Sequence, residues 1–155
     1  MKYFYNVFEV NSNIEKVWLF YTDLKQLEII SPSNIKLHLI ESTDKILKKG
    51  TVACFYERII ISSQWCSKIT FFEKYEYVDE MIQKGNKRPP FRLWSHTHTF
   101  NEIDDRKTRV VDKIVFEIVF ELPFGLVRKL LEFYIELKLL KIFKHREQAT
   151  KKFLE

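Results

Sequence analysis

Residues 91–100 read FRLWSHTHTF: Phe91, Arg92, Leu93, Trp94, Ser95, His96, Thr97, His98, Thr99 and Phe100. In a strand, successive side chains point to opposite faces. Trp94, His96, His98 and Phe100 then share one face, and Leu93, Ser95, Thr97 and Thr99 the other. The first face carries two large aromatics and two imidazoles, while the second is short and hydroxylic.

Working outward, Asp104-Asp105-Arg106-Lys107 reads as a hairpin connection to a strand over 109–121. One in-register solution places Asp112 opposite His98 and Ile114 opposite His96, at a cross-strand separation of about 5 Å. An Asp beside His98 orients the ring and raises its pKa. Upstream, 35–40, 51–61, 64–76 and 78–83 are also rich in alternating, β-branched and aromatic residues. Residues 62–63 and 84–86 serve as polar connections. Trp65, Ser67, Ile69 and Phe71 share one face, expected as core or cavity wall. Tyr56, Glu57 and Arg58 form a polar cluster whose inward member parity leaves open, although an outward salt bridge suits Arg58 best.

The chain opens with a strand over 2–10, with Phe4, Asn6, Phe8 and Val10 on one side. Ser12 and Glu15 offer a capping box for a short helix through Trp18 and Tyr21. A second short helix over 23–29 is stopped by Ser31-Pro32-Ser33. Leu122-Pro123-Phe124-Gly125 ends the last strand and opens a long helix over 126–152. Its apolar positions (Val127, Leu130, Leu131, Tyr134, Leu137, Leu140, Ile142, Phe143) form more than a narrow stripe, so it is expected to be buried along much of its girth. One strand, two short helices, six strands and a long helix define an α+β order, read as a single domain over 1–155. A curved antiparallel sheet of about seven strands wrapped around that last helix would bury it.

Composition narrows the function classes. With 155 residues and only 3 Gly and 4 Pro, there is room for a core but little for linkers. The net charge of +5 permits an acidic partner, but there is no nucleic-acid-binding motif. The most apolar long segment, 122–143, carries Arg128, Lys129, Glu132, Glu136, Lys138 and Lys141, which excludes stable membrane insertion. The alternating N-terminus is unlike a signal peptide, and a soluble cytoplasmic protein is expected. Cys54 and Cys66 lack metal-ligand spacing and are expected as buried thiols. No Ser-His-Asp order, nucleophile elbow or phosphate loop is present, so no catalytic residue is assigned. The oligomeric state is left open.

For His96 and His98, three readings compete: strand histidines hydrogen-bonded within the wall, polar anchors for an apolar ligand, or metal ligands. Metal binding is disfavoured because zinc wants three or four ligands and only Asp112 with water is in view. No cofactor or metal is assigned. His38 and His145 lie outside any ligand spacing and are expected at the surface.

The stretches IEKVWLFYTDLKQLEIISP (14–32), QW-x-SKI (64–69), FRLWSHTHTF with TRVVDKI following (108–114), ELPFG (121–125) and KIFKHRE (141–147) together resemble the START-like (SRPBCC) superfamily. The nearest group is the bacterial ligand-binding proteins related to polyketide cyclase/dehydrases. Met81 and the segment 87–91 depart from that pattern. The resemblance implies a helix-grip fold with a hollow between sheet and long helix, and a hydrophobic or aromatic small-molecule ligand. In such a fold the face of Trp94, His96, His98 and Phe100 is the inward one, and with the strand parity and register above this makes Trp65, Ile69, Trp94, His96, His98, Phe100 and Asp112 the expected ligand-binding wall. The alternatives it leaves are a polyketide cyclase/dehydratase-type enzyme and a lipid carrier docking on anionic membranes through its basic C-terminal helix.

Overall fold

A computed structural model describes residues 1–35, 37–58, 62–84, 91–119 and 125–155. Seven strands form one antiparallel sheet: β1 (Lys2–Val10), β2 (His38–Ser42), β3 (Val52–Arg58), β4 (Ser62–Glu73), β5 (Glu76–Ile82), β6 (Phe91–Asp104) and β7 (Lys107–Ile118). Their order is β1-β7-β6-β5-β4-β3-β2, a meander closed at one edge by the N-terminal strand. Two short helices, α1 (Ile14–Thr22) and α2 (Leu24–Ile29), and a 3-10 turn over Ser33–Ile35 follow β1, and α3 (Gly125–Leu154) ends the chain. This is the α+β helix-grip architecture expected from the order of elements.

The inner face is set by alternation. Phe4, Phe8 and Val10 of β1, Val110, Ile114 and Phe116 of β7, and Trp94 and Phe100 of β6 are buried in one core with Ile135, Leu139, Ile142 and Phe143 of α3, and a register shift between Phe91 and Leu93 brings Phe91 into it as well. Hydrogen bonds clasp the helix ends to the rest: Tyr21 Oη pairs with Thr150 Oγ1 at 2.9 Å, and Lys16 Nζ donates to the Leu154 carbonyl at 2.9 Å.

Several local expectations need correction. Asn13, not Ser12, caps α1, its side chain accepting from the Lys16 amide at 2.8 Å, while Glu15 instead accepts from Lys74 Nζ and Tyr75 Oη. Ile35 lies in the 3-10 turn, and β2 begins only at His38. Ser62 and Ser63 belong to β4, paired with Arg58 and Glu57, rather than to a connection, and residues 59–61, read as the end of the preceding strand, lie outside the described residues. The expected strand 64–76 is broken by a turn at Lys74-Tyr75, where Tyr75 takes a left-handed φ of 71° with no glycine to signal it. A register shift between Ile69 and Phe71 flips the alternation. Phe72 therefore packs on the core and Phe71 turns outward. The connection expected at 84–86 and the segments 85–90 and 120–124 lie at or beyond the edge of the described residues.

Two larger corrections concern α3 and the cysteines. The sheet grips one side of α3 only, so Val127, Leu130, Tyr134, Leu137 and Leu140 are exposed rather than buried. Cys54 and Cys66 are not free thiols but a disulfide. They are direct register partners on β3 and β4, which brings their Cα atoms to 4.0 Å. Both are buried, on the face opposite Ala53, Phe55 and Glu57.

Candidate functional site

Two adjacent rungs of the inner sheet face carry the polar chemistry. On one rung, Tyr77, His98, Asp112 and Asn6 are successive partners across β5, β6, β7 and β1. On the next, Ile69, Asp79, His96, Ile114 and Phe4 are successive partners from β4 to β1. The register places Asp112 opposite His98 and Ile114 opposite His96, as the alternation of FRLWSHTHTF suggested.

The two imidazoles are buried, with ring centroids 3.7 Å apart, and lie between two carboxylates. Asp112 Oδ1 is 3.1 Å from His96 Nε2 and 3.2 Å from His98 Nδ1. Asp79 Oδ2 is 3.2 Å from His98 Nε2 and 3.6 Å from His96 Nδ1. Asp112 is itself held by the Asn6 amide, which donates to Oδ2 at 3.3 Å. Tyr77 stacks on His98 with centroids 4.3 Å apart and donates its hydroxyl to the Tyr21 carbonyl.

Electrostatics divides the pair. Burial pushes His96 down, and the neighbouring His98 charge adds to that. Burial also opposes protonation of His98, but its contacts with Asp112 and Asp79 outweigh it and the net shift is upward. Burial alone would raise the Asp112 carboxyl; the two imidazoles hold it well below the usual carboxylate range. Asp112 is therefore an ionised, buried acceptor held by two hydrogen bonds, from His96 Nε2 and Asn6 Nδ2, with His98 Nδ1 close by but not hydrogen-bonded.

In front of this cluster, between sheet, α2 and α3, is a cavity of about 110 Å³. Trp65, Ile69, Trp94, His96 and His98 line it, together with Phe55, Leu139, Ile142 and Phe143. Asp112 lies behind the imidazoles rather than on the cavity surface. Phe100 does not line the cavity either; it packs against Trp18 and Tyr21, at ring separations of 5.7 and 5.1 Å.

Tyr77, Asp79 and Arg146 also line the cavity and were not singled out in the sequence, and so does Glu57, whose direction the sequence left open. Glu57 is the inward member of its cluster, buried among apolar side chains, and burial raises its carboxyl to about 7. Arg58 is exposed. Asp79 could have been found from its parity with Tyr77, had the turn at 74–75 been recognised. Arg146 shares the helical spacing of Leu139, Ile142 and Phe143, which is a legible face of α3. Its guanidinium sits 5.1 Å from the centre of the Phe143 ring. His38 and His145 are exposed and remote in sequence from the cluster.

No family of related sequences matches the chain, and no curated protein does. Solved structures do match. A protein from Thermus thermophilus aligns with TM-score 0.71 at 15% identity, over 99% of this chain and 100% of that one. A START superfamily protein from Mycobacterium smegmatis aligns with TM-score 0.69 at 11% identity, over 98% and 96%. The Zhui aromatase/cyclase from Streptomyces sp. R1128 aligns with TM-score 0.71 at 14% identity, over 99% and 93%. At these identities the likeness is one of fold. The chain has the START-like (SRPBCC) fold, and no helix among the described residues is long and apolar enough to cross a membrane.

Proposed function

We propose that the chain binds a small apolar or aromatic molecule carrying one polar group in the cavity between sheet and α3. The observation that carries this reading is the cavity itself, about 110 Å³ and walled mainly by aromatic and aliphatic side chains. An apolar cavity of about 150 Å³ in another protein takes up benzene, so this hollow suits a single ring or a short aliphatic chain. Around it, Glu57 Oε1, Trp65 Nε1, Trp94 Nε1 and Arg146 Nε are buried without a hydrogen-bond partner among the described residues. A ligand hydroxyl or carboxylate would satisfy part of that set, and buried polar groups without partners are costly.

Titration with phenol and benzoate, followed by tryptophan fluorescence, tests this reading. Saturable quenching through Trp65 and Trp94 is expected, and Ala53→Phe, which fills the cavity, should abolish it while leaving the fold intact. Quenching that is linear in probe concentration, or unchanged in Ala53→Phe, would count against it. The imidazole pair would also suit the proton transfers of a polyketide cyclase or dehydratase. Turnover that survives in His96→Ala and His98→Ala would remove them as catalysts of such a reaction. The carrier reading draws support from a different observation, the exposed apolar side chains of α3 interspersed with lysines.

A further inference from the structure

We propose that Asp79, His96 and His98 form a binding site for one divalent transition-metal ion of the zinc, cobalt or iron type, open towards the cavity. Their ligand atoms lie within 4.8 Å of one another. Asp79 Oδ2 is 3.2 Å from His98 Nε2 and 3.6 Å from His96 Nδ1. In a tetrahedral site with metal–ligand bonds of about 2.0–2.1 Å, neighbouring donor atoms stand about 3.3 Å apart. The cluster already has edges of that length.

The other side of the cluster is arranged as metal sites are. A metal-bound imidazole usually presents its second nitrogen to a carboxylate, which fixes ring and tautomer. Asp112 Oδ1 occupies that position for His96, hydrogen-bonded to Nε2 at 3.1 Å, and stands 3.2 Å from His98 Nδ1, which has no hydrogen-bond partner among the described residues; Asn6 anchors Asp112 in turn. Proton counting points the same way. Four ring nitrogens face two carboxylate oxygens, but two neutral imidazoles carry only two N–H groups between them. His96 pairs with Asp112 through Nε2, so its Nδ1 lone pair faces Asp79 Oδ2; moving the His98 proton from Nε2, which now meets Asp79, to the partnerless Nδ1 beside Asp112 would bring a second lone pair to the same place. A cation there converts that repulsion into coordination.

The donor set of two nitrogens and one carboxylate oxygen suits zinc, cobalt or iron rather than soft copper(I). All three residues line the cavity, so the remaining coordination positions would face it, as in sites that activate water or bind a ligand oxygen. The ion shares the cavity with the proposed organic ligand, yet it binds without one, so either reading can fail while the other stands.

The test uses the full, tag-free chain after chelator treatment, titrated with Zn²⁺ by calorimetry and with Co²⁺ by visible absorption. One equivalent should bind, raise the melting temperature, and give the d–d bands of four- or five-coordinate cobalt with nitrogen and oxygen donors. Asp79→Asn, His96→Gln and His98→Gln should each weaken binding by more than about 100-fold, and Asp112→Asn by roughly 10–100-fold. The double variant His38→Ala, His145→Ala should bind as the wild type does. A folded wild-type chain that takes up no stoichiometric metal would overturn the proposal, whatever the variants do. Uptake that survives in Asp79→Asn and His98→Gln, or is lost with His38 and His145, would overturn it as well.

Discussion

His96 and His98 pack with ring centroids 3.7 Å apart and ring planes tilted by 37°, and each lies close to both Asp79 and Asp112. The sheet itself imposes this: two residues on one strand face flank the carboxylates of the neighbouring strands on either side. A buried cluster of this kind depends on every member. Asp112→Ala would remove the acceptor of His96 and the negative charge beside His98, and stability should fall by about 3–5 kcal/mol in chemical denaturation. A loss under about 1 kcal/mol would mean that water replaces the carboxylate readily.

Glu57 gives the protein a pH dependence of predictable sign. Burial raises its carboxyl from 4.5 to about 7, with the Trp65 side chain and the Arg146 charge pulling weakly the other way. Between those values the folded chain keeps a proton that the unfolded chain has lost. Stability contributed by the neutral acid is therefore complete below about pH 4.5, declines as pH rises, and is gone above about pH 7. The total swing is about 3 kcal/mol. Glu57→Gln should flatten this part of the stability profile and be the more stable protein at pH 8. A profile with the same slope in both would show that Glu57 reaches water.

The elements that depend on local chemistry were legible. Strict alternation in FRLWSHTHTF put Trp94, His96, His98 and Phe100 on one face, and pairing Asp112 with His98 was one register the hairpin allowed; the structure adopts it with a register shift between Glu102 and Asp104. Asp79 was not legible, because Tyr75 adopts its left-handed turn conformation without a glycine and so hid where β5 begins. Phe71 misled for a similar reason, since a bulge has no residue signature here. Phe100 was placed on the right face, but only the packing of Trp18 and Tyr21 decides that it lies beside the cavity rather than on it.

The disulfide was missed because spacing in sequence says nothing of register. Cys54 and Cys66 are separated by 12 residues and meet only because β3 and β4 pair with those two positions opposed. Intact mass under non-reducing conditions should lie two hydrogens below the reduced mass. Closing a loop of that length stabilises by roughly 3 kcal/mol, so Cys54→Ser with Cys66→Ser should lower the melting temperature. Because the pair lies on the outer sheet face, phenol binding should be unchanged in that variant. Two free thiols in the purified chain would contradict the pairing.

Leu126, Leu130, Phe133 and Leu140 of α3 are each more than half exposed, with Lys129, Lys138 and Lys141 among them. If this face docks on anionic membranes, co-sedimentation with phosphatidylserine vesicles should be strong at low salt and fall as salt rises. Leu130→Glu with Phe133→Glu should abolish it and leave cavity binding intact. Co-sedimentation indifferent to salt and to anionic lipid would remove the carrier reading.

The most direct test of a ligand-binding cavity is native mass spectrometry of the chain purified from its own host. One non-covalent organic adduct per chain is expected, of a mass suited to a single ring or a short aliphatic chain, and absent from Ala53→Phe prepared in the same way. A bare wild-type chain, or an adduct that persists undiminished in Ala53→Phe, would contradict the account.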